Sequence, residues 1–236
     1  MLNIILADSA VELVPKPLWS HPSVSRRAGL LKKKPGQILL DRSYHHRAML
    51  RLKDGEKRGR PDIVHFCLLE ALGTPLNRVN LLRMIVHTVD NHIIYVNPEV
   101  RLPRNYDRFA GLIEQLYELG RVGEGNKTLL ELKRGNLRQA VDDVKPSYVM
   151  AFTRLGKPQL LHEAVLTLTK TENPLVLVGA FPRGHFSDEV KEVVNEAVSI
   201  DPEMLEAWTV TSRLIYEYER AIHLPEKRLG RSETSF

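Results

Sequence analysis

Short apolar runs alternate with amphipathic stripes along most of this chain. Residues 2–7 (LNIILA) are apolar throughout and stop at Asp8-Ser9, the pattern of a buried strand. Ile38–Asp41 resembles a second strand, with polar and histidine residues just past its end. Pro61-Asp62 opens a helix, since proline fits a first turn and an acid suits its positive end, and Gly73 stops it. Arg83–Val89 and Ile93–Val96 read as a hairpin turning through Asp90-Asn91. Phe109, Leu112, Ile113 and Leu116 form a helical stripe, and Gly120, Gly123 and Gly125 fall in an expected loop beyond it. The second half predicts a strand at Ser147–Phe152, a helix at Gln159–Leu168 and a short buried strand at Leu175–Val178. Ser187 is expected to cap a helix running through Ala197, Glu206–Ile222 to form the last helix, and the tail after Pro225 to fray. Strand–helix alternation of this kind predicts a largely parallel α/β sheet.

Composition narrows the picture a little. With 236 residues, 43% hydrophobic and 27% charged, the chain can build a sizeable core and is not disordered in type. The net charge of +5 favours acidic partners. The segment Ser20–Gly36, with Arg26, Arg27 and Lys32 to Lys34, reads either as a solvated basic connection or as an RNA-facing patch. One cysteine, Cys67, excludes an intrachain disulfide and lies in an apolar stretch where an inert thiol is expected. No run approaches the ~18 apolar residues of a membrane span. MLNIILADSA has no basic leader before its apolar run, so a cytoplasmic protein is expected.

Three groups of residues are candidates for chemistry. LVGAFPRG, residues 177–184, follows a buried strand, and Gly179 and Gly184 would let a ligand come close to the backbone. It matches neither a dinucleotide fingerprint nor a P-loop. Arg60, Arg101, Arg104 and Arg108 form an arginine set. A helix through Arg104 and Arg108 would place both on one face, where planar guanidinium forks suit phosphate oxygens. Among the histidines, His45-His46 is a poor metal pair and His65 sits in an apolar helix as an expected core group, so no metal site is expected. There is no nucleophile elbow either.

Taken together, Met1–Glu12, ILLDRSYHHRAM (38–49), GRPDIVHFCLL (59–69), TPLN (74–77), VNPEVRLPRNYDRFAGL (96–112), LVGAFPRG and AWTV (207–210) resemble the ribosome-biogenesis pseudouridine N1-methyltransferase family, a branch of the SPOUT superfamily, in the style of its archaeal members. The resemblance implies an α/β, SPOUT-type parallel sheet with a C-terminal deep trefoil knot in one domain, residues 1–224. A family-specific hairpin and helix insertion is placed at roughly 83–125, with 225–236 as a flexible tail. It implies S-adenosyl-L-methionine as methyl donor, methylation of N1 of a pseudouridine in small-subunit rRNA, a homodimer, and small-subunit ribosomal proteins as further partners. Donor contacts are implied for Thr153, Gly179 and Gly184 and for Ile200, Asp201, Pro202, Glu203, Met204 and Leu205. In that last loop, Ser199–Leu205 departs from the SIYNxGL-like pattern of relatives. Arg60, Arg101, Arg104 and Arg108 match rRNA-contacting positions. Asp62 matches an acid that holds an arginine, or else acts as the base on N1–H, so Arg60 and Asp62 are the implied catalytic pair. An alternative is a small-subunit assembly factor whose main task is binding.

Overall fold

A computed structural model describes residues 1–230. In chain order the elements are β1 (Leu2–Ser9), α1 (Pro22–Leu30), α2 (Arg42–Met49), α3 (Pro61–Gly73), α4 (Pro75–Arg78), β2 (Leu82–Thr88), β3 (His92–Val96) and α5 (Tyr106–Leu119). Then follow β4 (Arg121–Glu124), β5 (Lys127–Arg134), α6 (Leu137–Val144), β6 (Tyr148–Pro158), α7 (Leu161–Thr169), β7 (Pro174–Gly179), α8 (Asp188–Val193), β8 (Glu196–Ser199), α9 (Ala207–Ala221) and α10 (Leu224–Arg228). Eight strands form one sheet in the order β4-β5-β3-β2-β1-β7-β6-β8. The five from β2 to β8 are parallel, and β3, β5 and β4 extend the sheet in antiparallel fashion.

The uninterrupted apolar run of β1 has its reason in the middle of this sheet. Leu2, Ile4 and Leu6 join one core with α3, α5, α7 and α9, whereas Ile5 and Ala7 face the opposite core with α6 and α8. Each fully buried residue of this size contributes about 1.5–3 kcal/mol, which is why no polar alternation appears. A third, smaller cluster (Val14, Leu18, Val24, Ala28, Ile38, Leu40, Ala48 and Met49) holds together the excursion between β1 and α3. Among the described residues no helix is long and apolar enough to cross a membrane.

Several expected elements come out differently. Ile38–Asp41 is no strand: Leu39 makes a single bridge to Leu13, and Asp41 caps α2 by accepting the Ser43 N–H at 2.7 Å. The basic segment Ser20–Gly36 contains helix α1, whose surface charge hides the two core positions Val24 and Ala28. The helix begun at Ser187 ends at Val193, because Glu196–Ser199 is drawn into the sheet as the edge strand beside β6. The glycine-rich stretch after α5 is not a loop but the β4–β5 hairpin. After Pro225 the chain continues α10 to Arg228, and the rest of the expected tail, 231–236, lies outside the described residues.

The pairing of β6 with β8 is unusual. Phe152 and Lys157, five residues apart on β6, both lie opposite Val198, so residues 153–156 arch around that strand. Gly156 sits at the closest approach: a β-carbon there would stand 2.5 Å from the Val198 backbone and 2.6 Å from that of Ala197. Backbone cannot step aside as a side chain can. Gly156→Ala is therefore expected to cost more than about 3 kcal/mol, the upper end of ordinary overpacking. Chemical denaturation should show the loss; a midpoint within error of the parent would refute this account of the crossing.

Candidate functional site

A cavity of about 420 Å³ opens where the middle of β6, at Phe152–Arg154, and the carboxyl ends of β7 and β8 meet the start of α9. Loops leaving neighbouring parallel strands diverge at such a place and leave room for a ligand, and the volume suits a cofactor-sized molecule. Eight of the nine positions expected to hold the donor line it: Thr153, Gly179, Gly184, Ile200, Asp201, Glu203, Met204 and Leu205. Pro202 does not. The divergent loop is locally braced, since Ser199 Oγ donates to the Asp201 carbonyl at 2.9 Å and Asp201 Oδ1 accepts the Glu203 N–H at 2.9 Å. Arg60 and Ile63, at the start of α3, form another part of the wall.

The loop 180–187 is pinned at both ends to the end of β1. The Ala180 N–H donates to the Ala7 carbonyl at 3.1 Å, and the Ala10 N–H to the Ala180 carbonyl at 2.9 Å. At the far end the Asp8 carboxylate accepts the Ser187 N–H at 2.7 Å and the Ser187 hydroxyl at 3.1 Å. Asp8 does this from a left-handed backbone, φ 51°, a conformation that costs a non-glycine residue about 1–2 kcal/mol. From outside, Lys57 donates to the His185 carbonyl, and its ammonium stands 4.9 Å from the centre of the Phe181 ring. Gly184 has φ 97°, and a β-carbon there would lie 2.9 Å from Lys57 Cε.

The expected pair at the start of α3 is formed. Arg60 Nε donates to Asp62 Oδ1 at 2.8 Å and Arg60 Nη2 to Oδ2 at 2.7 Å, a bidentate contact. Both side chains are about one-third exposed, so the pair contributes no more than about 1 kcal/mol to stability. Its effect is orientation. The arginine segment is brought to the same helix: the His65 ring nitrogen Nε2 lies 2.7 Å from the Pro103 carbonyl, and the ring stacks on Phe109 at 4.2 Å. Arg101, Arg104 and Arg108 are exposed. One expectation about them fails. Arg104 and Arg108 do not share a helix face, because Asn105 caps α5 by accepting the Arg108 N–H at 3.1 Å and leaves Arg104 in the chain before it.

Asp8, Lys57, Phe181, Phe186 and Glu206 also shape the site and were not singled out from the sequence. Asp8 carried a signal, an acid directly after a fully apolar strand, but its partner Ser187 is 179 residues away. Lys57 carried none, because one lysine in a basic segment is indistinguishable from its neighbours.

Comparison with known proteins agrees with this geometry. Residues 4–219 match the family described as EMG1/NEP1 methyltransferase. The ribosomal RNA small subunit methyltransferase Nep1 of Thermococcus onnurineus (strain NA1) is 42% identical, covering 93% of this chain and 98% of that protein. Its counterpart from Pyrococcus furiosus is 43% identical, covering 92% and 96%. The crystal structure of Archaeoglobus fulgidus Nep1 bound to S-adenosylhomocysteine superposes with a TM-score of 0.84 at 39% identity, covering 94% of this chain and 98% of that one.

Three histidines, His45, His65 and His87, are buried. Burial lowers the pKa of each below the ordinary 6.5, against weaker opposing effects that include Asp41 at His45, the Pro103 carbonyl at His65 and Asp8 at His87. The folded state thus prefers them neutral, whereas the unfolded chain takes up protons first. Their contribution to stability is complete above about pH 6.5 and is lost as pH falls through the lowered folded values. The melting temperature should accordingly drop from pH 7.5 to 5.5, and a pH-independent value over that range would contradict the assignment. Cys67, buried with its pKa pushed up to about 12 by desolvation, stays an inert thiol throughout.

Proposed function

The chain belongs to the EMG1/NEP1 methyltransferase family, and from that premise we propose that it methylates N1 of a pseudouridine in small-subunit ribosomal RNA, with S-adenosyl-L-methionine as donor. The observation that carries this reading is the adjacency of two features: a cofactor-sized cavity at the strand ends and the rigid Arg60–Asp62 pair in its wall. The Archaeoglobus fulgidus relative is bound to S-adenosylhomocysteine, which is the donor without its methyl group. The cavity is of a size for such a molecule, with Gly179 and Gly184 in its wall, packed against Phe181 and Lys57 where a side chain would collide.

When bound, the donor supplies an electrophilic methyl group on a sulfonium. The protein's task is then positioning, since transfer needs nucleophile, methyl and sulfur in line. Arg60, with Arg101, Arg104 and Arg108, grips phosphates of the RNA loop while the target base is turned out towards the cavity. Asp62 fixes the Arg60 guanidinium. Both of its oxygens already accept N–H groups from Arg60, which supports a holding role over that of a base. Thr153, Ile200, Asp201, Glu203, Met204 and Leu205 supply the remaining donor contacts; Pro202 is left to shape its loop.

The arch of residues 153–156 around Val198 supports a C-terminal trefoil knot, with residues 1–224 as one domain and 83–125 as the family's insertion. The same reading includes a homodimer in the cytoplasm that works on the small subunit and meets its ribosomal proteins.

Two outcomes test the proposal. Gly184→Val forces a branched side chain into a left-handed position against Lys57 and should weaken donor affinity about five- to thirtyfold while RNA affinity holds, since about 1–2 kcal/mol of strain is concentrated there. Calorimetric titration reads it, and unchanged donor affinity would remove the loop from the site. The second test is chemical. In uridine N1 is the glycosidic nitrogen and bears no proton; in pseudouridine the base is joined through C5 and N1–H is free to be lost. Labelled methyl should therefore pass to a hairpin containing one pseudouridine and not to the same hairpin with uridine. Equal transfer to both would sink N1 of pseudouridine as the methylated atom.

A further inference from the structure

We propose that α1 and the turn after it, with Arg26, Lys32 and Lys34, form a second RNA-contact surface that holds phosphates of the duplex stem flanking the methylated loop. This rests on the RNA substrate proposed above and extends its footprint beyond the four arginines. The charge of the chain is strongly segregated. Residues 13–60 hold 13 Lys and Arg against 3 Asp and Glu, a net +10, whereas the rest holds 21 against 26, a net −5. The basic character of the protein is therefore that of one excursion, not of its surface at large.

Part of this charge is used internally. Arg58 pairs with Glu12, Arg60 with Asp62, Arg27 with Asp107 and Lys33 with Glu114. Arg26, Lys32 and Lys34 are exposed and form no ion pair among the described residues. The pairs that are formed also fix where these three sit. Arg27 reaches Asp107 at 3.4 Å and Lys33 reaches Glu114 at 2.6 Å, so α1 and its turn follow α5 for two helical turns, about 10 Å. α5 begins beside Arg104 and carries Arg108 in its first turn. The two contacts neutralise the acids Asp107 and Glu114, which would otherwise repel a polyanion between the arginines and α1. Stacking of Arg27 on Tyr44, 3.8 Å from the ring centre, and the cluster around Val24 and Ala28 make the surface rigid. A continuous, pre-positioned basic stripe running from Arg104 past Lys33 suits successive phosphates of a helix, which proteins read by shape and backbone contact.

The test compares two pseudouridine hairpins with the same loop, one with a minimal stem and one longer by a helical turn. The full-length protein should bind the longer one more tightly and with a steeper salt dependence, by about 0.7–0.9 in log–log slope for each added phosphate contact. In the triple variant Arg26→Glu, Lys32→Glu, Lys34→Glu this stem-dependent gain should vanish while affinity for the short hairpin stays. The milder triple change to Gln should remove most of the gain and serves in its place if circular dichroism shows the first variant misfolded. A gain retained in the variant, or absent from the parent, overturns the stem surface alone. Failure of the parent to bind either hairpin overturns the RNA substrate with it. Loss of binding to phosphatidylserine vesicles with RNA binding intact would assign the stripe to a membrane surface instead.

Discussion

The site depends on a crossing of backbones in which no side chain can fit. Strand β6 pairs with Val198 twice, through Phe152 and again through Lys157, and the intervening arch closes over β8 only because position 156 has no β-carbon. That single constraint fixes where β8 ends, and hence where Ser199–Leu205 turns back to start α9. Thr153 at the foot of the arch and Ile200, Asp201 and Glu203 to Leu205 beyond β8 thereby become walls of one cavity. Hydrophobic burial drives the sheet together, but it is indifferent to this threading. Sterics at one glycine decide it.

The rest of the cavity is held by polar contacts between segments far apart in the chain. Asp8, at the end of the most buried strand, reaches Ser187, and Lys57, from the basic excursion, reaches His185. The loop that lines the cavity is thus held from the core on one side and from the basic excursion on the other. Arg60 has a similar double position, since its backbone N–H donates to the Ala10 carbonyl at 3.2 Å while its side chain is clasped by Asp62. Two walls of the cavity are consequently anchored to the end of β1 and the turn after it.

Charge is organised on the same plan. Asp107 and Glu114 of α5 pair with α1 and its turn, Glu12 beside β1 pairs with Arg58, and Arg26, Lys32 and Lys34 stay exposed. Arg27–Asp107 lies at the surface and adds little stability, because exposed ion pairs are worth little, whereas the carboxylates of Glu12 and Glu114 are buried and need their cationic partners. The Arg27–Asp107 and Lys33–Glu114 pairs bind α1 and its turn to α5.

The sequence by itself determined the elements whose burial is regular. β1, β7, α3, α5 and α9 were legible because apolar spacing maps directly onto a core face, and the β2–β3 hairpin because Asp90-Asn91 suits a tight turn. Eight of the nine positions expected at the cavity, Pro202 excepted, and the Arg60–Asp62 contact were legible too, through motifs that resemble a known family. Tertiary structure alone decided the rest. Helix α1 was hidden because only two of its nine residues are buried, and β8 because a four-residue edge strand takes its state from the neighbour it pairs with. Ile38–Asp41 had the composition of a strand but found no neighbour, and Asp41 capped a helix instead. The roles of Asp8, Lys57 and Gly156 each rest on contact with a residue more than 40 positions away. Such contacts leave no local pattern, because spacing along a chain records which face a residue presents and not what will be opposite it.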